Sequence, residues 1–199
     1  MFTGRLFESR SHLEETLALY DNLSHSLLLD QAGVDPYVSA QAMLGSVLFY
    51  LGFSDQALDR SNAAIVEAGR LGHHPSLAIT LAFGARLVLL VGDDTALDER
   101  ASRLIAVSTE QSFAYWRALG TIYGGWAKVK NGDVQEGLFL MRRGSTDYCA
   151  TGAAAWTPFH LGPWPKHVRW LSKSKRQRRC WTKLYKPSKG PGSAGLRQN

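Results

Sequence analysis

The chain has 199 residues, 45% of them apolar, which is enough to bury a real core and too many for a chain that stays unfolded. Its formal charge of +6 is unevenly placed: residues 1–162 carry 12 Lys and Arg against 17 Asp and Glu, whereas residues 163–199 carry 11 Lys and Arg and no acid. The acidic body therefore argues against a folded nucleic-acid or anionic-membrane surface, and two cysteines, Cys149 and Cys180, without C-x-x-C or Cys/His spacing argue against a zinc site and fit a reducing, cytoplasmic setting.

The leading MFTGRLFESRSHLEETL lacks a basic region followed by an unbroken apolar stretch, so neither a signal peptide nor an anchor is expected there. Apolar residues three or four apart predict a first helix over 7–20 and further helices over 36–51, 54–71, 75–91, 95–110, 113–130 and 133–150. The most apolar segment, Pro75 to Val91, contains Arg86 and reads as a buried helix, not a membrane span. Helix starts are expected where Ser54 precedes Ala57, Asp94 precedes Leu97 and Asp133 precedes Glu136, each pair placing a side-chain acceptor near unpaired backbone N–H groups.

The helices repeat with a period of about 40 residues. LGFSDQALDRSNAAIVEA from Leu51, VGDDTALDERASRLIAVS from Val91 and NGDVQEGLFLMRRGSTDY from Asn131 align through Gly52, Gly92 and Gly132. A second set of helix ends follows 20 residues later at Gly72, Ser112 and Gly152. Short turns make successive helices antiparallel neighbours, and each hairpin buries its apolar side only by stacking on the next. The expected fold is all-α, an antiparallel helix-hairpin solenoid over residues 1–162 followed by a basic, disordered tail over 163–199. Gly45, Ala85 and Gly125 recur at 40 in the first helix of each pair, where close crossing leaves little room, with Ala57 and Gly137 opposite. The middle pair departs from this with Leu97, so its packing is expected to differ. These small residues make the pattern tetratricopeptide-like.

LGFSDQALDRSNAAIVEAGRLGH, STEQSFAYWRALG, ALGTIYGGWAKVKNGDVQEGL and the leading GRLFESRSHLEETLALYD resemble the C-terminal tetratricopeptide region of bacterial proteins that join a class III adenylate or guanylate cyclase to an AAA-type ATPase. The resemblance covers about residues 1–162 and implies signal transduction through protein–protein contact in the cytoplasm, with the catalytic domains upstream and absent here. The chain contains no G-x-x-x-x-G-K-[ST] phosphate loop and no cyclase-like carboxylate pair, so it is expected to be no enzyme and to need no cofactor. Two other readings compete: part of a split cyclase or ATPase whose catalytic domains lie on another chain, and a nonspecific nucleic-acid binder acting through the tail.

After TPFHLG the repeat stops abruptly. In a shifted frame, with wobble bases chosen freely, the codons of residues 164–199 can spell an amphipathic helical hairpin resembling the family's next repeat, so the tail reads as a frameshift product. KSKRQRRCWTKLYK has the basic and aromatic interleaving of a nucleic-acid patch, but on this reading it is an accidental basic run and no specific nucleic acid or membrane is expected as partner. Without that hairpin, an apolar surface around residues 133–156 is expected to promote aggregation.

By the resemblance, the first helices of successive pairs line a groove, whose residues here would be Ser46, Tyr50, Arg86, Leu90, Trp126 and Lys130. Arg86 and Lys130 could hold an acidic peptide or its terminal carboxylate while Tyr50 and Trp126 supply apolar contact. The other candidates read as structural. His73 and His74 face a helix end without further ligands, Cys149 packs, and Asp93, Asp94, Asp98, Glu99 and Asp133 cap helices or face solvent. Tyr115, Trp116, Tyr123, Trp126 and Trp156 read first as core and second as a binding surface.

Overall fold

A computed structural model describes residues 5–20 and 33–153. The end of the first domain at 162, Trp156, Cys180 and the basic tail lie outside the described residues. Seven α-helices, and no strand, occur among the described residues: α1 (Leu6–Leu19), α2 (Pro36–Tyr50), α3 (Ser54–Leu71), α4 (His74–Val91), α5 (Asp94–Glu110), α6 (Ala114–Lys130) and α7 (Val134–Ala150). The chain is all-helical there, and each helix boundary falls within one residue of the sequence-based expectation.

The turns explain this agreement. Gly52, Gly72, Gly92, Gly132, Gly152 and Ser112 all have positive φ. At four turns the same backbone bond, from a residue to the carbonyl five positions before it, closes the helix end: Phe53 N to Leu48 O, Asp93 N to Val88 O, Phe113 N to Ser108 O and Asp133 N to Lys128 O, at 2.8–3.0 Å. That closure requires a residue in the left-handed region, which glycine enters without a Cβ clash. Ser112, at φ 58°, is the one non-glycine among the described residues with positive φ.

The caps correct two expectations. Asp133 accepts from Glu136 N as expected, at 3.4 Å. The cap of α5 is Asp93, which accepts from Ala96 N at 2.9 Å, so Asp94 is already the first helical residue. Ser54 likewise begins α3, behind Phe53, and no side chain caps that helix. In these turns, as in the one at Gly132, the capping position is the residue directly after the left-handed glycine, so Ser54 and Asp94 fall one place too late. An unforeseen cap, Asp35, is fully buried, and its carboxylate accepts from Val38 N at 2.9 Å and from the Tyr20 hydroxyl at 3.0 Å. Asp35 N donates to Ser76 Oγ at 2.7 Å, and Ser76 Oγ lies 2.8 Å from His73 Nδ1. This network ties the end of α1 and the starts of α2 and α4 together.

Burial, followed by the hydrogen bond and charge of Asp35, pushes the Tyr20 phenol up from 10.0 to about 12. A proton held more tightly in the folded chain contributes stability that is complete below the ordinary tyrosine value and is lost as pH rises through 12. Urea midpoints should therefore fall between pH 10 and 12, and Tyr20→Phe should flatten that slope; an unchanged slope would place the alkaline loss elsewhere.

Packing follows chain order, each helix lying against the next, with α2 also on α4 and α4 on α6. The helices α3, α5 and α7 make no more than marginal contact with one another. Glycines set the tightest approaches. A Cβ built at Gly45 would lie 2.9 Å from the Ala57 carbonyl oxygen, and one at Gly125 would lie 2.7 Å from that of Gly137. One at Gly144 would lie 2.9 Å from the Ala118 carbonyl oxygen, so α6 and α7 run antiparallel at backbone contact. Between α4 and α5, Leu97 is fully buried, and Arg100 reaches across the hairpin instead. Leu44, Leu48, Ala57 and Leu87 form a core cluster that Leu13 and Leu17 of α1 cover. Each such leucine contributes about 1.5–3 kcal/mol through removal of its side chain from water.

Helix α4 is long and apolar enough, by length and composition, to cross a membrane, and 56% of it is buried inside the fold. Its burial against α2, α3, α5 and α6 accounts for its hydropathy. On α7, Val134 and Phe139 are exposed, the latter by 56%.

Candidate functional site

The six groove candidates all fall on α2, α4 and α6, of which α4 packs directly on both of the others. Because successive helices alternate in direction, these three helices run parallel, and Tyr50, Leu90 and Lys130 sit in their last turns at one edge of the layer. The structure separates the candidates into two groups by burial. Tyr50 (45%), Leu90 and Lys130 are exposed, whereas Ser46, Arg86 (4%) and Trp126 (5%) are buried.

Ser46 and Arg86 meet: Arg86 Nη2 donates to Ser46 Oγ at 2.9 Å, joining α2 to α4. The Arg86 guanidinium also lies over the Phe83 ring, 4.7 Å from its centroid, where the aromatic face attracts a cation. Burial lowers the Arg86 pKa, and Tyr123, Tyr50 and Tyr115 oppose that shift. Burial raises the pKa of Tyr123, and Arg86 opposes it. One buried cation thus shares its surroundings with three tyrosines, of which Tyr50 opens to solvent. Lys130 is drawn elsewhere, its Nζ lying 3.8 Å from Asp94 Oδ1 on α5.

Of the aromatic residues, Tyr123 and Trp126 belong to the core. Tyr115 makes an edge contact with Trp116 at 4.6 Å between centroids and a tilted one with Tyr148 at 5.2 Å. Cys149 is partly buried in the last turn of α7. Among the described residues no three His, Cys, Asp or Glu side chains are grouped as metal ligands would be. Asp93 and Asp133 serve as caps, and Glu99 lies 3.7 Å from Arg103 in an exposed ion pair.

Sequence reasoning passed over Arg100. This residue is buried on α5, and its Nη1 donates to the Gly84 carbonyl at 2.9 Å and to Ser61 Oγ at 3.3 Å, while Nη2 donates to Asn62 Oδ1 at 2.6 Å. A signal existed: Arg100 lies between Leu97 and Leu104 on the apolar stripe of its helix, where a cation must find several partners.

No protein family, curated protein or solved structure matches the chain. The class that the fold itself defines is an all-helical protein of consecutive antiparallel helices.

Proposed function

We propose that this chain is a non-catalytic protein–protein interaction module, a tetratricopeptide-like solenoid of about 40-residue helical hairpins whose inner layer, α2, α4 and α6, takes a peptide segment of a partner protein. The observation that carries the reading is the edge of that layer. Exposed Tyr50 and Leu90 offer apolar contact there, and Tyr50 shares the surroundings of the buried Arg86 guanidinium, which Ser46 and the Phe83 ring hold in place. An extended acidic peptide suits such a surface, because its acidic side chains are drawn to exposed Lys130 at the same edge while its apolar residues cover Tyr50 and Leu90. The resemblance of the repeats to those of cyclase–ATPase signalling proteins supports a regulatory setting in the cytoplasm, with a cyclase or ATPase domain as one source of the peptide.

The test is fluorescence polarisation against a library of acidic peptides. Binding in the micromolar range is expected, and Tyr50→Ala with Leu90→Ala should weaken it about ten-fold, or about 1.4 kcal/mol, with the melting temperature unchanged. Lys130→Glu should weaken acidic peptides and leave neutral ones unaffected. Peptide binding that ignores all three substitutions would overturn the assignment.

A further inference from the structure

The outer helices α3, α5 and α7 stand apart while α4 packs directly on both α2 and α6, so a wedge opens between each neighbouring outer pair. The wedge between α3 and α5 is plugged. Its floor is Gly84, and Arg100 crosses it to Ser61 and Asn62. A Cβ at Gly84 would meet Ile65 Cδ1 at 2.9 Å and Arg100 Nη1 at 3.0 Å, so the space over this glycine is filled by side chains that would have to shift to admit one.

The wedge between α5 and α7 has the same floor and no plug. Forty residues on from Gly84 stands Gly124, but Arg100 is replaced by Leu140, Ser61 by Ala101 and Asn62 by Ser102. A Cβ at Gly124 would meet only Ile105 Cδ1 at 3.8 Å and Ala101 Cβ at 4.0 Å, ordinary contact distances. Packing therefore leaves room at residue 124, and the space is a cleft of about 460 Å³. Ile105 and Leu140 form its apolar walls, and Arg117 and Arg143 line it with guanidinium groups. Neither arginine side chain has an ion-pair partner among the described residues. Thr109 and Thr121 donate their hydroxyl protons to the carbonyls of Ile105 and Arg117, at 2.7 and 2.9 Å, so toward the cleft they offer lone pairs. Asp147 adds a carboxylate acceptor.

We propose that this outer cleft is a second binding site, for a small organic anion that also carries hydroxyl or amino donors. The carboxylate or phosphate lies between Arg117 and Arg143, whose fork-shaped guanidiniums match such groups in two-point contact. The donors of the ligand face Asp147 and the threonine oxygens, and its carbon chain lies along Ile105, Leu140 and the bare backbone of Gly124. Net positive charge at the cleft excludes a simple cation, and the three acceptors favour a hydroxylated anion over a purely acidic one. The volume fits, since small-molecule sites start at about 300 Å³.

Isothermal titration of the full 199-residue chain with citrate, and separately with glycerol 3-phosphate, separates a carboxylate from a phosphate ligand. Saturable one-to-one binding of at least one of them is expected at low salt. Arg117→Gln with Arg143→Gln should raise its Kd about ten-fold or more, or abolish binding. Gly124→Leu, which fills the floor, should do the same while holding or raising the melting temperature, because leucine is the better helix former. The basic tail is retained in every variant, so any loss belongs to the cleft. Saturable binding that neither variant changes, or no saturable binding of either anion, overturns the proposal.

Discussion

Gly125→Ala should lower the melting temperature by about 6–12 °C, whereas Gly124→Ala, one residue earlier in the same helix, should raise it slightly. Both changes improve helix propensity by about 1 kcal/mol. They differ in what the new methyl group meets. At residue 125 it would lie 2.6 Å from Met141 Cγ, 2.7 Å from the Gly137 carbonyl oxygen and 2.9 Å from Met141 N. Two of those three atoms are backbone and cannot turn aside, so α6 and α7 must separate along the hairpin. Overpacking of this kind costs about 1–3 kcal/mol and more where no rotamer relieves it. Separation also strips contact from Ala118, Ile122 and Gly144, which continue the same seam, so a net loss of about 3 kcal/mol is expected. At about 2–4 °C per kcal/mol for a chain of this size, that loss gives the stated range. Thermal melts followed by circular dichroism decide the matter, and equal effects at the two glycines would show that the α6–α7 seam does not limit stability.

Arg100→Met should cost about 2–3 kcal/mol, although it removes a charge from the interior. Burial lowers the pKa of this guanidinium, a sign that its desolvation opposes folding. Its hydrogen bonds to Gly84, Ser61 and Asn62 outweigh that penalty, since bonds to a charged donor are worth about 1.5–3 kcal/mol each before desolvation. Methionine fills similar volume but leaves Asn62 Oδ1 without its 2.6 Å donor. Lysine should recover less than half of the loss, because one ammonium cannot span acceptors on both α3 and α4. A double-mutant cycle with Asn62→Ala should show a coupling of about 1–2 kcal/mol. Strict additivity would mean that the arginine stabilises α5 alone and does not join three helices.

These two predictions depend on knowledge of different kinds. The Gly125–Gly137 approach was legible as small residues recurring at the turn-proximal end of each hairpin, since only close backbone crossing makes such a position intolerant of volume. Arg100 was legible only as a cation on an apolar stripe: the repeat brings α3 near it, but the choice of Gly84, Ser61 and Asn62 as its partners depends on side-chain geometry that periodicity does not carry. The groove candidates were mixed in the same way. Their common layer follows from alternation of helices, but sequence spacing could not show that Arg86 is committed to Ser46 and Phe83, or that Lys130 turns toward Asp94.

The sequence by itself determined the helices and their ends, because apolar spacing and left-handed glycines are local properties that act within a few residues. It also determined which of the helices from α2 to α7 are neighbours, since turns of two or three residues leave consecutive helices no other direction. Only the tertiary structure decided which polar side chains are buried, which wedge Arg100 closes and which one stays open over Gly124. Burial of a charge depends on the sum of partners gathered from several helices, and that sum exists only once they have packed.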